Sequence, residues 1–335
     1  MHDPDRHTRQ LAGYPLRLDP RFEQIDRGPD LRVLYQGRWR GHRPRYWAGH
    51  PFPVKAGDWY GLYPEPISGE EPPPVPPRKE VITVGETKVE VVIGGQGDPL
   101  VVLHGAGGNR GWRRWMATVG ERYTVCAPTH PGFGRSDAAD WMESIDDLAR
   151  FYLWFLDVMG LSKVHLLGHS IGGWTAAELA TMRPGVIDRL VLVSPTGLKP
   201  DEGEIRDIFF YPPEELLEYN VHDRATVPEW AELFGQKPGP AEIEMALRNR
   251  EMTARLTWKP YMFNPRLPHF LPRVPNPTLI VWGREDQIVP VICGEQYRRL
   301  LPNATLRVLE RCGHLPLIEQ PDVFANLVLD FLGRA

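Results

Sequence analysis

The segment Gly168-His169-Ser170-Ile171-Gly172 follows the apolar run Val164-His165-Leu166-Leu167 and opens a helical pattern from Trp174 to Thr181. A serine at such a junction sits on a sharp strand-to-helix turn, a nucleophile elbow. Its strained dihedrals and the close approach of strand and helix require small residues two positions before and two after it. Gly168 and Gly172 meet that requirement. A glycine-rich connection without chemistry would show the same five residues, but the buried strand ahead of them favours the elbow.

A serine hydroxyl is a poor nucleophile at neutral pH until a base takes its proton, and that base must be held in one tautomer by an acceptor on its far nitrogen. Both partners follow in order. The strand-like run Thr278–Trp282 leads into Gly283-Arg284-Glu285-Asp286-Gln287-Ile288-Val289-Pro290, and the next run, Thr305–Leu309, leads into Cys312-Gly313-His314-Leu315-Pro316. Asp286 is the expected acid, with its neighbour Glu285 as rival, and His314 is the expected base. Upstream, Leu100-Val101-Val102-Leu103 reads as a buried strand ending in His104-Gly105-Ala106-Gly107-Gly108. Glycines there let backbone amides approach a substrate, and acyl chemistry develops an oxyanion that preorganised N–H donors must meet. The amides of Ala106 and Ile171 are the expected donors. Among the remaining histidines, His104 and His130 read as loop supports. His169 is expected to be structural and to point away from the oxyanion side.

Val81–Val84 and Lys88–Ile93 suggest a hairpin over Gly85-Glu86. Beyond it, strands near 99–104, 123–128, 163–168, 189–194, 277–282 and 304–309 alternate with helical runs around 111–119, 144–159, 171–183, 291–301 and 321–333. This alternation predicts an α/β fold with a mostly parallel central sheet and helices on both faces. Residues 197–273 break the rhythm and are too long for an ordinary loop. Their aromatic content suits a helical lid over the serine, with Phe210 and Trp258 expected to touch substrate. The core is thus expected over 81–196 and 274–335. Residues 1–80 are dense in proline and aromatic side chains, including Tyr35, Trp39, Tyr46, Trp47 and Trp59, and end in the linker Glu71–Pro77. Disordered segments are poor in such rings. The expectation is an ordered arm that packs on its own subunit or joins two copies into a homo-oligomer.

The motifs His104-Gly105, Pro131-Gly132-Phe133-Gly134-Arg135-Ser136, Gly168–Gly173, Gly283 with Asp286, and Gly313-His314 together resemble, from about Val81 to the end, an α/β-hydrolase of the lid-bearing serine esterase and carbon–carbon hydrolase type. Relatives with an aspartate nucleophile, the haloalkane dehalogenases and epoxide hydrolases, differ at the position of Ser170. The resemblance implies the α/β-hydrolase fold, acyl transfer to water through Ser170, and no cofactor. The family spacing places the acid three residues after Gly283, at Asp286.

Composition narrows the partners. The chain has 335 residues, 42% of them hydrophobic, and a formal net charge of −4. It can bury a substantial core and has no global attraction to nucleic acid or acidic membranes. The polar start Met1-His2-Asp3-Pro4-Asp5-Arg6 does not resemble a signal peptide, so a cytoplasmic protein is expected. Three cysteines without paired spacing suggest neither disulfides nor a metal site. The expected substrate is a small apolar ester or ketone.

The leading sequence-based function is hydrolysis of an ester with an apolar acyl group. The alternative is hydrolysis of a carbon–carbon bond in a dienone acid from aromatic-ring breakdown, whose carboxylate would need a lid cation such as Arg224, Arg248, Arg250 or Arg255. Cofactor-free perhydrolysis is a side activity similar triads support. A non-catalytic receptor or docking protein on the same fold is the reading from another class.

Overall fold

The computed structural model describes residues Val75–Gly333. The aromatic arm, including Trp39, Trp47 and Trp59, lies outside the described residues. The chain runs β1 (Val75–Val84), β2 (Thr87–Gly95), β3 (Asp98–Leu103), α1 (Arg114–Gly120), β4 (Tyr123–Pro128), α2 (Ile145–Val158), β5 (Val164–His169), α3 (Ile171–Met182) and β6 (Ile187–Val193). An insertion follows with α4 (Pro213–Asn220), α5 (Trp230–Leu233), α6 (Pro240–Thr257) and α7 (Leu267–Phe270). Then come β7 (Thr278–Gly283), α8 (Ile292–Leu300), β8 (Ala304–Leu309), α9 (Pro316–Glu319) and α10 (Pro321–Leu332).

Eight strands form one sheet in the order β1-β2-β4-β3-β5-β6-β7-β8. Pairing is parallel from β4 across to β8, and antiparallel for β1 with β2 and β2 with β4. Alternate side chains feed two cores, as the two-residue period of a strand dictates. Val101, Leu103, Leu166, Leu190, Leu192, Ile280 and Trp282 meet α2, α3 and α8 on one face. Leu100, Val102, Leu167, Val191, Val193, Leu279 and Val281 meet α1 and α10 on the other. Burial on both faces is why these strands read as unbroken apolar runs.

β1 begins six residues before the expected edge of the core, inside the segment assigned to the proline linker. Pro76 and Pro77 fit because β1 is an edge strand, where a missing N–H costs no ladder bond. The register also shifts between Val75 and Arg78. The hairpin turn falls at Gly85-Glu86 as expected, with Val84 opposite Thr87 and Gly85 at φ 61°.

The crossing of α3 over β3 positions the serine. Ser170 has φ 55° and ψ −119°, a backbone conformation that costs a non-glycine residue on the order of 1–3 kcal/mol and must be held by its surroundings. A Cβ on Gly172 would stand 2.3 Å from the Leu103 carbonyl oxygen and 2.4 Å from that of His104, and a Cβ on Gly168 would stand 2.2 Å from the Gly172 oxygen. Because those atoms are backbone, they cannot swing aside. Gly172→Ala should therefore force α3 away from β3 and lower the melting temperature by roughly 5–10 °C, the equivalent of overpacking by about 2–3 kcal/mol. Circular dichroism melts of the purified variant measure this; an unchanged midpoint would show that the crossing is soft.

Candidate active site

Ser170 follows β5, Asp286 follows β7 and His314 follows β8, so all three stand at the carboxyl edge of the sheet. The Ser170 hydroxyl donates to His314 Nε2 at 3.0 Å. His314 Nδ1–H donates to Asp286 Oδ2 at 2.8 Å. The other Asp286 oxygen, Oδ1, accepts from the amides of Ile288 (2.8 Å) and Val289 (2.9 Å), which hold the carboxylate in place. Its side chain is fully buried. Glu285 faces elsewhere, its Oε2 accepting from the Cys312 amide at 2.9 Å. Such a chain can move the serine proton onto an imidazole whose tautomer and developing charge the carboxylate supports.

The loop that carries the imidazole is anchored by a carboxylate that carries no motif in the sequence. Glu319 accepts from the amides of Gly313 (2.8 Å), Leu315 (3.2 Å) and His222 (2.8 Å), so one side chain fixes both neighbours of His314 and ties them to the insertion. Burial raises its pKa, and the three amides oppose that rise. Cys312 is buried beside it, and burial pushes its thiol well above the usual range, which leaves no thiolate to compete with Ser170.

The loop after β3 lies against the elbow: a Cβ on Gly105 would stand 3.1 Å from the Ser170 Cβ. Ala106 lines the cavity beside the serine. Ile171 begins α3, where the first-turn amides have no helical partner, and its side chain is fully buried. Two histidines brace the loop from behind. His104 Nε2 accepts from the His130 amide, so its Nδ1–H donates to the Gly105 carbonyl at 2.7 Å. His130 Nε2–H donates to the His104 carbonyl, leaving Nδ1 to accept from the Tyr152 hydroxyl. Burial keeps both neutral, lowering His104 to about 4 and His130 well below its ordinary value.

His169 departs from expectation. Instead of turning away from the oxyanion side, its ring packs on Gly105 and lines the cavity, and its Nε2–H donates to the His314 carbonyl at 2.9 Å. Burial, reinforced by His314, lowers its pKa to about 3, so it serves as a neutral strut between elbow and base.

Above Ser170 lies a cavity of about 550 Å³, walled by this loop and by residues of the insertion such as Phe209, Leu216, Phe234, Leu247 and Met262. Phe210 and Trp258, the two expected substrate contacts, are elsewhere. Phe210 is 79% exposed and Trp258 is 59% exposed, and neither borders the cavity. Trp258 lines a neighbouring surface depression, and Phe209, 5.9 Å from it between ring centroids, borders both that depression and the cavity. The turn there is held by the Phe209 amide, which donates to Asp207 Oδ1 at 2.8 Å.

The four insertion arginines expected to offer a lid cation are also committed. Arg248 donates to the carbonyls of Gly134 and Ser136, Arg250 to those of Phe209 and Tyr211, and Arg255 to that of Asp140. Arg224 pairs with Glu218. Among the arginines that line the cavity, Arg110, at the end of the glycine loop and without a motif of its own, has no hydrogen-bond or ion-pair partner among the described residues. No group of three His, Cys, Asp or Glu among the described residues is arranged to hold a metal ion, and no described helix is long and apolar enough to cross a membrane.

Loops after three parallel strands, β5, β7 and β8, that deliver serine, acid and histidine in that order follow the plan of the α/β hydrolases. Residues 100–327 match the alpha/beta hydrolase family, and the chain belongs to it. It is 33% identical over 260 residues, 71% of this chain and 88% of the relative, to the 2-hydroxy-6-oxononadienedioate/2-hydroxy-6-oxononatrienedioate hydrolase of Paraburkholderia phymatum. It is 30% identical over 266 residues, 72% of this chain and 89% of the relative, to the 2-hydroxy-6-oxo-6-phenylhexa-2,4-dienoate hydrolase of Burkholderia cepacia. Among solved structures, the meta-cleavage product hydrolase from Pseudomonas fluorescens IP01 superposes with a TM-score of 0.66 at 28% identity, covering 76% of this chain and 97% of that one.

The two carboxylates near His314 can be separated by substitution. Asp286→Asn should reduce turnover of any substrate by roughly 10³-fold or more, since the amide cannot support the imidazolium, whereas Glu285→Gln still offers an oxygen to the Cys312 amide and should cost only a few-fold. Steady-state kinetics on both variants decide it, and the reverse ranking would move the acid to Glu285.

Proposed function

We propose that the protein hydrolyses a carbon–carbon bond beside a ketone in a small dienone acid, with Ser170 as nucleophile, His314 as base and then acid, and Asp286 as its support. The observation that carries this reading is the hydrogen-bonded Ser170–His314–Asp286 chain at the floor of a largely apolar cavity of about 550 Å³. That size falls within the roughly 300–1,000 Å³ of small-molecule pockets. The relatives' dienoate and dienedioate substrates favour carbon–carbon cleavage over the ester reading that sequence ranked first.

The chemistry can be followed atom by atom. Ser170 Oγ bonds to the ketone carbon while its proton passes to His314, and the resulting oxyanion meets the amides of Ala106 and Ile171. The carbon–carbon bond then breaks. With the 2-hydroxydienoate in its keto tautomer, in which the enol proton has moved to the carbon beside the ketone, the electron pair delocalises through the alkene onto the 2-oxo group and the fragment takes up the proton from His314. Water, deprotonated by the same imidazole, releases the acyl group from Ser170. The apolar wall excludes bulk water and lets the oxyanion donors act at low dielectric. In this scheme the insertion acts as a lid, and Phe209 takes the role first expected of Phe210.

Ester hydrolysis would use the same groups on an oxygen leaving group, so it is the natural control. With 2-hydroxy-6-oxo-6-phenylhexa-2,4-dienoate, followed by loss of its visible absorbance, kcat/KM should exceed that for p-nitrophenyl butyrate by at least ~10²-fold, and Ser170→Ala should lower both by ~10³-fold or more. Efficient ester turnover with no cleavage of the dienone would reject the carbon–carbon reading in favour of an esterase. Activity that survives in Ser170→Ala would reject the nucleophile.

A further inference from the structure

Arg110 is the unusual charge of this site. It lines the cavity above Ser170, and its Nη2 lies over Gly107, where an added Cβ would come within 3.0 Å of it. One face of the guanidinium stacks on Phe234 of the insertion, 4.6 Å from the ring centroid. That contact fixes the plane of the group but uses none of its five N–H donors. Among the described residues no carboxylate lies within ion-pair distance of it, and no carbonyl accepts from it. Glu214 and Glu242 border the same cavity without pairing with it. The charge that acts on it is another cation, Arg113, which is itself paired with Glu229 and Glu232. Arg110 keeps accessible surface while lining the cavity, and desolvation, with Arg113 adding repulsion, lowers its pKa to about 10. A cation held this way loses hydration and gains no anion, which is unfavourable for the protein alone. A ligand carboxylate can repay that cost, since a planar guanidinium matches a carboxylate with two parallel N–H donors.

We propose that Arg110 is the specificity-determining residue of the cavity, anchoring the carboxylate of an acidic substrate while Ser170 attacks that substrate's carbonyl. This deepens the proposed function and rests on its placement of Ser170, though not on which bond is cleaved. The insertion arginines cannot serve without breaking their bonds to backbone carbonyls. Lys237 also borders the cavity but stands on an exposed stretch, as a flexible cation without a fixed direction. Arg110, fixed on one side by Phe234 and backed by Gly107, has a set orientation. It therefore also sets substrate polarity: the acid end lies toward the glycine loop and Phe234, and the remaining substituent extends toward the other apolar walls.

The test uses matched pairs that differ at the carboxylate, which in both lies on the leaving fragment. The first pair is 2-hydroxy-6-oxo-6-phenylhexa-2,4-dienoate and its methyl ester; the second is 3-(butanoyloxy)benzoate and its methyl ester. The full chain should prefer the anionic member by about 10–100-fold in kcat/KM, the range of hydrogen bonds to a charged group. Arg110→Gln should abolish that preference mainly through KM, and Arg110→Lys should keep part of it. Equal ratios in wild type and Arg110→Gln, or no anionic preference in wild type, would overturn the proposal. If the dienone pair is not cleaved at all, the carbon–carbon reading fails separately and the ester pair still decides the role of Arg110 by the same ratios. Circular dichroism melts establish that Arg110→Gln is folded; if it is not, the wild-type preference and its partial loss in Arg110→Lys carry the decision.

Discussion

The contact between the start of α3 and the end of β3 sets the geometry on which the site depends. With only hydrogens at Gly168 and Gly172, the helix descends onto the Leu103 and His104 carbonyls and Ser170 is held at φ 55°. β3 pairs with β4 on one side and β5 on the other, so the direction of chain progression reverses between β3 and β5. Open α/β sheets form their ligand crevice at such a switch point, beyond the carboxyl ends of the strands. The glycine loop after β3 and the serine after β5 are therefore neighbours for topological reasons before any side chain is chosen.

The remaining partners come from much further along the chain, and backbone contacts hold them. His169 donates to the His314 carbonyl, Glu285 accepts from the Cys312 amide, and Glu319 accepts from the amides on both sides of His314. His104 and His130 exchange bonds behind the glycine loop. These groups touch no reacting atom; each removes a direction in which a loop could drift. A displacement of about 1 Å between a nucleophile and its base is costly, so this scaffolding belongs to the function as much as the serine does. It is also hydrogen-bonded, as buried polar groups must be to avoid a penalty of ~1–3 kcal/mol each.

Which parts of this were legible in the sequence follows from the range of the forces involved. The parallel strands are buried on both faces, so Leu100–Leu103 and Thr278–Trp282 show as continuous apolar runs, and the motifs at their ends mark the loops. The separation of Asp286 from Glu285 rested on family spacing, because adjacent side chains differ in direction by loop geometry alone. The interior of the insertion was not legible for the same reason: Phe209 and Phe210 are adjacent and equally aromatic, yet only Phe209 lines the cavity and Phe210 is exposed. β1 was foreshortened because prolines read as linker signals, and only the absence of a neighbour on its outer edge permits them in a strand. Glu319 has no motif because its partners are amides, and backbone amides leave no trace in composition.

The arginines show the same limit and explain where the charge of the cavity lies. Sequence places Arg248, Arg250 and Arg255 on one helix of the insertion, which makes them obvious candidates to meet an acid. Side-chain direction decides otherwise: Arg248 and Arg255 reach carbonyls of the loop between β4 and α2 and tie the insertion to the core, while Arg250 reaches carbonyls within the insertion. An arginine that donates to carbonyls satisfies both partners and stabilises the assembly of the two layers. Arg110 satisfies neither its charge nor its donors within the described residues, and such a group persists where function offsets its cost to stability. The contrast between committed and uncommitted guanidinium groups locates the charge that a substrate can meet, at the end of the loop that also carries the Ala106 amide.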